Sequence, residues 1–447
     1  MKKVRSQKSE VSKFITLTFF ILSFVFGING QTSASPDKSI TEFDVNGLKV
    51  IVKRRPSSPT VSAGLFTRGG VKNQTAKNAG IETLTLATAT EASVKYPREV
   101  LRKEFARTGS AISGGAGYDF GVVSLTSTRQ NFDKTWEIFT DIVLNPAFTP
   151  EDFGLARERL LTGLRNQSVS PDSSLGVLQD KVIYANHPYS NDPSGTIESV
   201  GNLKIEDLRA FHKTLLQTSR LLLVIVGDLD PQTVQKQITA SFGKLPRGDY
   251  KEQPVPRIGF AQPTLDVTSR TIPTNYVRGI FAAPSLADPD YYAMRVAMTI
   301  LQSRVYDEVR TKRNLSYAPS AEMENNAANT ANIYVTANDA NQSVNLMLKE
   351  IESMKSDLIA DDGFTGVPGY FLTTYYINQE TNSAQVAELA RYELIGGGWR
   401  NSLAFLDKIR EVTAKDVQTV SQKYMKNIRF VVVGDPAAVS REIFLQN

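Results

Sequence analysis

Leu222-Leu223-Val224-Ile225-Val226-Gly227-Asp228 recurs later in the chain as Phe430-Val431-Val432-Val433-Gly434-Asp435. Each run is apolar, rich in β-branched residues and closed by Gly-Asp, which reads as a strand leaving a core into a turn. The flanks repeat as well. A helix is predicted before each strand, Lys204-Ile205-Glu206-Asp207-Leu208 matching Thr413-Ala414-Lys415-Asp416-Val417. Another is predicted after each, Pro231 to Ile238 and Pro436 to Ile443. Farther upstream, Ala147-Phe148-Thr149 and Gly363-Phe364-Thr365 stand in equivalent places. Gly227 and Gly434 are 207 residues apart, Phe148 and Phe364 216, so one repeat is about half the chain. That period is far too long for a solenoid and implies two sister domains.

The boundary falls where Pro246, Pro254, Pro256 and Pro263 alternate with charged residues, a composition that makes a stiff surface linker. The expected layout is a first domain over 36–245, a linker over 246–257 and a second domain over 258–447. In the first, Ile40 to Val52 and Val61 to Phe66 alternate as strands, Asn78 to Glu91 reads as a helix and Val122 to Ser127 as a strand. Phe132 to Leu144 and Pro150 to Asn166 read as amphipathic helices. In the second, Pro289 to Arg313 reads as one long helix capped by Asp288. Hairpin-like strands packed on helices predict an α+β architecture rather than a doubly wound sheet.

The N-terminus differs in kind. Lys2, Lys3, Arg5, Lys8 and Lys13 precede an uncharged run of 15 residues, Phe14 to Ile28, and then small polar residues. This is the layout of a secretory signal peptide over 1–34, and the run is short for a bilayer-spanning helix. Membrane attachment is therefore expected only if the leader stays uncleaved. With that leader removed the formal net charge falls from +5 to about +1, so charge gives no argument for nucleic acid as a partner. The chain has no cysteine, which excludes disulfides and thiolate metal sites. At 447 residues it buries enough core to do without them.

Few residues suggest chemistry. The two histidines, His187 and His212, fall 25 residues apart in different predicted elements, and zinc needs three or four ligands drawn close together. Both read as structural or surface residues. No Gly-x-Ser-x-Gly elbow is present, and neither histidine has the setting of a triad. Gly114-Gly115-Ala116-Gly117 precedes a strand rather than joining strand to helix, so it is no phosphate loop. It and Gly396-Gly397-Gly398 read as bends where backbones pack closely.

The duplicated layout, the Val-Val-Gly-Asp strand ends, Asn145-Pro146-x-Phe148-Thr149-Pro150-Glu151, His187-Pro188-Tyr189 and Arg310-x5-Ser316-Tyr317 together resemble the pitrilysin/insulinase metallopeptidase family over nearly the whole mature chain. The resemblance implies two homologous α+β domains, each an antiparallel sheet faced by helices, forming a clam-like chamber. Active members carry an inverted zinc motif, His-x-x-Glu-His, on the first helix of the first domain. On the segment after Gly80-Ile81 its positions fall on Thr83, Leu86 and Ala87, and the third ligand's position falls on Arg165, seven residues after Glu158. Those side chains cannot polarise a water on zinc or take its proton. Glu82 and Glu91 lie nearby, but carboxylates alone make an unusual zinc set. No histidine precedes residue 187, so no shifted alignment restores the motif.

The second domain keeps the family's Arg/Tyr pair at Arg310 and Tyr317. By resemblance Arg310 holds the substrate backbone and Tyr317 donates to the developing oxyanion, with Asn314 and Ser316 standing where Gly or Ala is commoner. Taken alone, these residues favour a plainer arrangement: Arg310 as a charge at a helix C-terminus and Tyr317 in the core. Some bacterial members of the family divide the work between two chains, one bearing the zinc motif and the other the Arg/Tyr pair. This chain then binds no cofactor, is inactive alone, and meets a zinc-bearing paralogous subunit and a peptide or unfolded polypeptide. The alternative is a non-enzymatic peptide-binding or structural interaction protein. Export to the periplasm follows from the leader and from resemblance to Gram-negative relatives.

Overall fold

The computed structural model describes residues 36–167 and 169–446, so the expected leader over 1–34 lies outside the described residues. From Ser39 onward the chain is one compact unit holding two sheets. In the first, β1 (Ile40–Val45), β2 (Leu48–Arg54), β3 (Thr60–Arg68), β4 (Ala111–Ala116), β5 (Phe120–Thr128) and β6 (Leu221–Gly227) run in the order β1-β2-β6-β3-β5-β4. In the second, β7 (Thr264–Ser269), β8 (Asn275–Ala282), β9 (Ser320–Met323), β10 (Thr330–Ala337) and β11 (Arg429–Gly434) run β7-β11-β8-β10-β9. Strand for strand the second order repeats the first without β1, so the sequence repeat is a structural one.

The sheets are mostly antiparallel, with one parallel pairing in each: β6 beside β2 and β11 beside β7. These are the two strands of the diagnostic repeat. Each returns from a long helical excursion, and a crossover of that length permits a parallel partner.

Between Phe242, the last residue of a helix, and Thr264, the first of β7, lies no regular element. This Pro-rich stretch is nonetheless tied down. Pro246 and Arg247 carbonyls accept from the amides of Thr218 and Ser219, and Lys72 Nζ donates to Glu252 and to the Gln253 carbonyl.

The helices of the first half are α1 (Ile81–Ala89), α2 (Arg98–Thr108), α3 (Phe132–Leu144), α4 (Pro150–Asn166), α5 (Pro171–Ile183), α6 (Ile197–Asn202), α7 (Ile205–Leu215) and α8 (Pro231–Phe242). Those of the second are α9 (Tyr291–Val305), α10 (Ala340–Ser356), α11 (Asp361–Thr365), α12 (Val367–Asn378), α13 (Asn382–Ile395), α14 (Arg400–Leu403), α15 (Phe405–Arg410), α16 (Ala414–Tyr424) and α17 (Arg441–Phe444). Local chemistry sets several starts. Thr149 caps α4, its hydroxyl accepting from the Asp152 amide, and Pro150 occupies the first turn. Thr413 and Asp416 form a reciprocal capping box on α16.

Several boundaries differ from the sequence expectation; the helix expected over Asn78 to Glu91, for instance, spans Ile81–Ala89. Asn46 and Gly47, with φ of 54° and 90°, turn the chain between β1 and β2, so Ile40 to Val52 is a hairpin and not one strand. The long helix starts at Tyr291, two residues late, and Asp288 instead accepts from the Asp290 amide and pairs with Arg257 at 2.8 Å. After Pro436 the chain makes a single 3-10 turn and then only four residues of α17, so no continuous helix follows the second repeat strand.

The central strands explain the uninterrupted apolar runs. In β6, Leu223 and Ile225 face the first half's own core with Trp136, Phe139 and Ile238. Its other face, Leu222, Val224 and Val226, packs on Val386, Leu389 and Trp399, which belong to α13 and the turn after it. In β11, Phe430 and Val432 face the second half's core, while Val431 and Val433 pack with Leu175, Ile183 and Tyr184 on and just beyond α5. Both faces of each strand are buried, so β6 carries no polar residue and β11 carries only Arg429, at its partly exposed first position. Each half thus covers its neighbour's sheet with a helix, and α5 and α13 occupy equivalent places in the repeat. Fully burying one Leu or Val side chain contributes about 1.5–3 kcal/mol, so these shared faces hold much of the stability.

Candidate functional site

Helix α1 starts at Gly80, whose φ of 87° and closeness to the Ser194 carbonyl leave no room for a side chain. It carries three of the four degenerate zinc positions, and the structure sends them to three different places. Thr83 donates its hydroxyl to the Pro193 carbonyl at 2.6 Å. Leu86 is buried in the first half's core. Gly114 lies so near that a Cβ on it would stand 2.4 Å from the Leu86 carbonyl, the close packing expected of that glycine run, but Gly114 to Ala116 are paired residues of strand β4 and not the expected bend. Ala87 lines an open cleft of about 410 Å³ with Glu91, Phe105, Gly114 and Arg159. The fourth position, Arg165 on α4, pairs with Glu158 at 2.6 Å.

The neighbouring carboxylates are engaged elsewhere. Glu82 is fully buried on the side of α1 that faces Gly121 of β5, accepting from Thr67 Oγ1 at 2.5 Å, and burial pushes its carboxyl upward in pKa. Glu91 is held by Arg159 and by Arg98 at 3.7 Å. Among the described residues no group of three or more His, Asp or Glu could hold a metal. These side chains therefore do not fit the family's zinc ion.

Both histidines are fixed by backbone. His187 Nδ1 accepts from the Tyr189 amide at 3.1 Å, so Nε2 is the protonated nitrogen and donates to the Pro256 carbonyl at 2.9 Å. His212 is buried with Nε2 2.9 Å from the Val143 carbonyl, and burial lowers its pKa.

The second site forms at the end of α9. That helix continues into a π-helical turn, Tyr306–Thr311, where the Lys312 amide reaches back to the Asp307 carbonyl. Asn314 then takes the left-handed conformation, φ 52°, and its amide closes the turn on the Arg310 carbonyl at 3.1 Å. Val309 is buried and Leu315 packs against the same core, anchoring the turn from beneath. Arg310 is thereby presented outward with its guanidinium 4.9 Å from the centre of the Tyr317 ring, while Nη1 donates to Asn314 Oδ1. Tyr317 is 80% exposed and is not part of the core.

The two side chains share an open pocket of about 330 Å³ with Thr274, Asn314, Ser316 and Asn338. All of its lining belongs to the second half, so the pair and the α1 cleft are separate sites on this chain. Around the pair, Lys312 and Arg313 are neutralised by Asp307 and Glu308, whereas Arg310 has no carboxylate partner among the described residues. An exposed guanidinium and phenol side by side are donors suited to a peptide carbonyl or its oxyanion.

Residues 49–190 match the family model described as Insulinase (Peptidase family M16), and residues 202–365 match the one described as Peptidase M16 inactive domain. The chain belongs to the insulinase (M16) peptidase family. An uncharacterized zinc protease of Mycobacterium leprae is 21% identical over 414 residues, covering 89% of this chain and 92% of that protein. The mitochondrial-processing peptidase subunit beta of Saccharomyces cerevisiae is 19% identical over 433 residues, 90% and 92% of the two chains. Among solved structures, a peptidase M16 inactive domain from Pseudomonas fluorescens superposes with a TM-score of 0.80 at 19% identity, covering 89% of this chain and 98% of that one. The first half of the periplasmic protease PqqL from Escherichia coli gives 0.75 at 14%, covering 91% and 95%. At these identities the likeness to the solved structures concerns the fold.

Within this M16 chain, sequence reasoning did not find Asn314 as the clasp on Arg310. The available signal was an Asn just past a helix end, a residue that tolerates the left-handed conformation. It also missed that Arg159, not Arg165, is the arginine lining the cleft, which depends on how α4 rotates over α1.

Proposed function

We propose that this M16 chain is the substrate-binding, Arg/Tyr-donating subunit of a two-chain zinc metallopeptidase that cleaves peptides. A paralogous partner supplies zinc, its water and the catalytic glutamate. The observation that carries the reading is the Arg310–Tyr317 pair, outward-facing and without an acid partner among the described residues, in a chain whose α1 presents no zinc ligand. A solvent-facing tyrosine held under a guanidinium that no carboxylate neutralises among the described residues has no packing role to explain it. The relatives support the setting, since one is named as a subunit of a processing peptidase and another as a periplasmic protease. Arg310 would hold the peptide backbone and Tyr317 would donate to the oxyanion, in a chamber between the two chains. The leader and the PqqL likeness favour the periplasm as its place.

The test is reconstitution. The chain alone is expected to cleave nothing and, with a zinc-bearing paralogue from the same cell, to give peptide hydrolysis. Tyr317→Phe should lower kcat by on the order of 10²-fold, the usual loss for one oxyanion donor, and Arg310→Ala should lower kcat/KM. Full activity in both variants would refute the pair's role.

A second reading, a non-catalytic structural subunit, is favoured by the uncharged and partly exposed helix α12, with Tyr370, Tyr376 and Ile377 open to solvent. Peptide affinity with no turnover beside any zinc-bearing paralogue would decide for it.

A further inference from the structure

A cavity of about 860 Å³ lies in the second half between α9, β9 and the α11–α12 segment, and neither Arg310 nor Tyr317 lines it. Beside it is a smaller pocket of about 150 Å³ walled by Tyr291, Phe371, Tyr375 and Phe405. Arg295 and Tyr370 line both, so the Arg295 guanidinium stands at their junction.

That guanidinium is under-used. Its Nε is buried without a hydrogen-bond partner, and Nη1 reaches only the Met323 carbonyl, at 3.5 Å. No carboxylate pairs with it among the described residues. Glu388, in the smaller pocket, is taken by Gln379 Nε2 at 2.6 Å and lies beside Lys53 and Arg391. Glu322 reaches the large cavity from β9 but is exposed. A buried donor left unpaired is costly, and an arginine matches a carboxylate through two parallel bonds.

The edge of β9 constrains how a ligand enters. β9 pairs with β10 on one side only. On its open side the Gln302 side chain stands in for a missing strand: Oε1 accepts from the Ala321 amide at 2.5 Å and Nε2 donates towards the Pro319 carbonyl at 3.5 Å. Arg295 covers a further outward carbonyl, that of Met323, two residues beyond Ala321. An extended chain therefore cannot pair along this edge without displacing α9's own side chains. A peptide that arrives end-on meets no such obstacle, and its last residue brings a carboxylate and a side chain to one point.

We propose that this cavity captures the C-terminus of a peptide, its carboxylate on Arg295 and its last, apolar or aromatic side chain in the pocket between Tyr291, Phe371 and Phe405. This rests on the reading of the chain as a peptide-binding M16 subunit, and it names an end of the ligand that the Arg310–Tyr317 pair does not read.

The test uses the isolated full chain and a fluorescein-labelled octapeptide of glycine, serine and alanine ending in phenylalanine, as the free acid and as the C-terminal amide. Anisotropy titration should show the acid binding at least tenfold more tightly. Arg295→Gln should erase that preference and leave the amide's Kd unchanged, and Arg295→Lys should restore part of it. Thr299→Trp, which fills the cavity from α9 without altering the guanidinium, should abolish acid binding even if the Gln variant folds poorly. Equal Kd for acid and amide, or a preference that survives Arg295→Gln, would overturn the capture site. The peptide-binding reading itself would stand in the first of these cases as long as both forms bind, and fails only if neither does and reconstitution is also silent.

Discussion

Trp399 is the most informative residue to remove. It follows α13 in the second half, yet it is 1% exposed against Ile40, Ile51, Phe66 and Leu222 of the first half's sheet. Its Nε1 donates to Glu42 Oε2 of β1 at 2.6 Å. Truncating a buried tryptophan to alanine costs about 3–5 kcal/mol through lost transfer energy and the cavity left behind. The hydrogen bond adds little, because Glu42's side chain is one-third exposed and water replaces the indole. A total of about 4 kcal/mol is expected for Trp399→Ala, and about 1 kcal/mol for Trp399→Phe, which keeps most of the packing. The chain has only two tryptophans, and the other, Trp136, sits in the first half's core. In either variant the remaining fluorescence therefore reports the half that was not mutated. Urea unfolding followed at Trp136 should shift its midpoint downward in Trp399→Ala, by about 1 M for an m-value of a few kcal/mol/M. It should coincide with the loss of circular dichroism. A Trp136 transition at the wild-type midpoint, with a separate earlier loss of dichroism, would show that the halves unfold independently and would refute the shared-core argument.

Asp180 on α5 gives a pH prediction. Burial is the main reason its carboxyl is pushed up to about 6, partly offset by the Tyr118 hydroxyl donated at 3.0 Å. The folded state thus holds this proton more tightly than the unfolded state, so the stabilisation is full below about pH 4 and is lost as pH climbs through about 6. Asp180→Asn should raise stability at pH 7 relative to wild type by about 2 kcal/mol and flatten the dependence between those limits; an unchanged pH profile in denaturant melts would refute this. Chelation should leave the melting curve of the isolated chain where it is, and elemental analysis should find no stoichiometric zinc. A Tm that falls with EDTA and recovers with zinc would contradict the reading of α1.

Much of the fold was legible because the diagnostic strand is apolar on both faces, and a run such as Leu221–Gly227 has few other readings. Caps were legible for the same local reason: Thr149-Pro150 and Thr413-x-x-Asp416 act on their own backbone. What the sequence could not show was which partner buried the second face of β6 and β11. Leu389 and Leu175 look like any core leucines of their own half, and only the tertiary arrangement sends them to the other sheet. The Asn46-Gly47 turn was available as a hairpin signal within Ile40 to Val52 and was masked by the apolar residues that recur on both sides of it, Phe43 and Val45 before and Leu48, Val50 and Val52 after. At the candidate site, the loss of zinc ligands was readable from residue types alone. The exposure of Tyr317 was not, since an aromatic residue after an apolar helix is commonly buried, and here the left-handed Asn314 redirects the chain.

The reciprocal placement of α5 and α13 bears on how such a chain arose. A single ancestral repeat would have had one sheet face that its own helices could not reach. Two identical copies could have satisfied each other by exchanging that one helix across a twofold axis, as an isologous dimer does. Joining the copies through the proline-rich stretch would then have made the association permanent without changing any contact. The present polypeptide is, in this sense, an obligate homodimer written as one gene product. The Arg310–Tyr317 pocket and the cleft beside Ala87 both lie outside the sheet faces that α5 and α13 cover for one another.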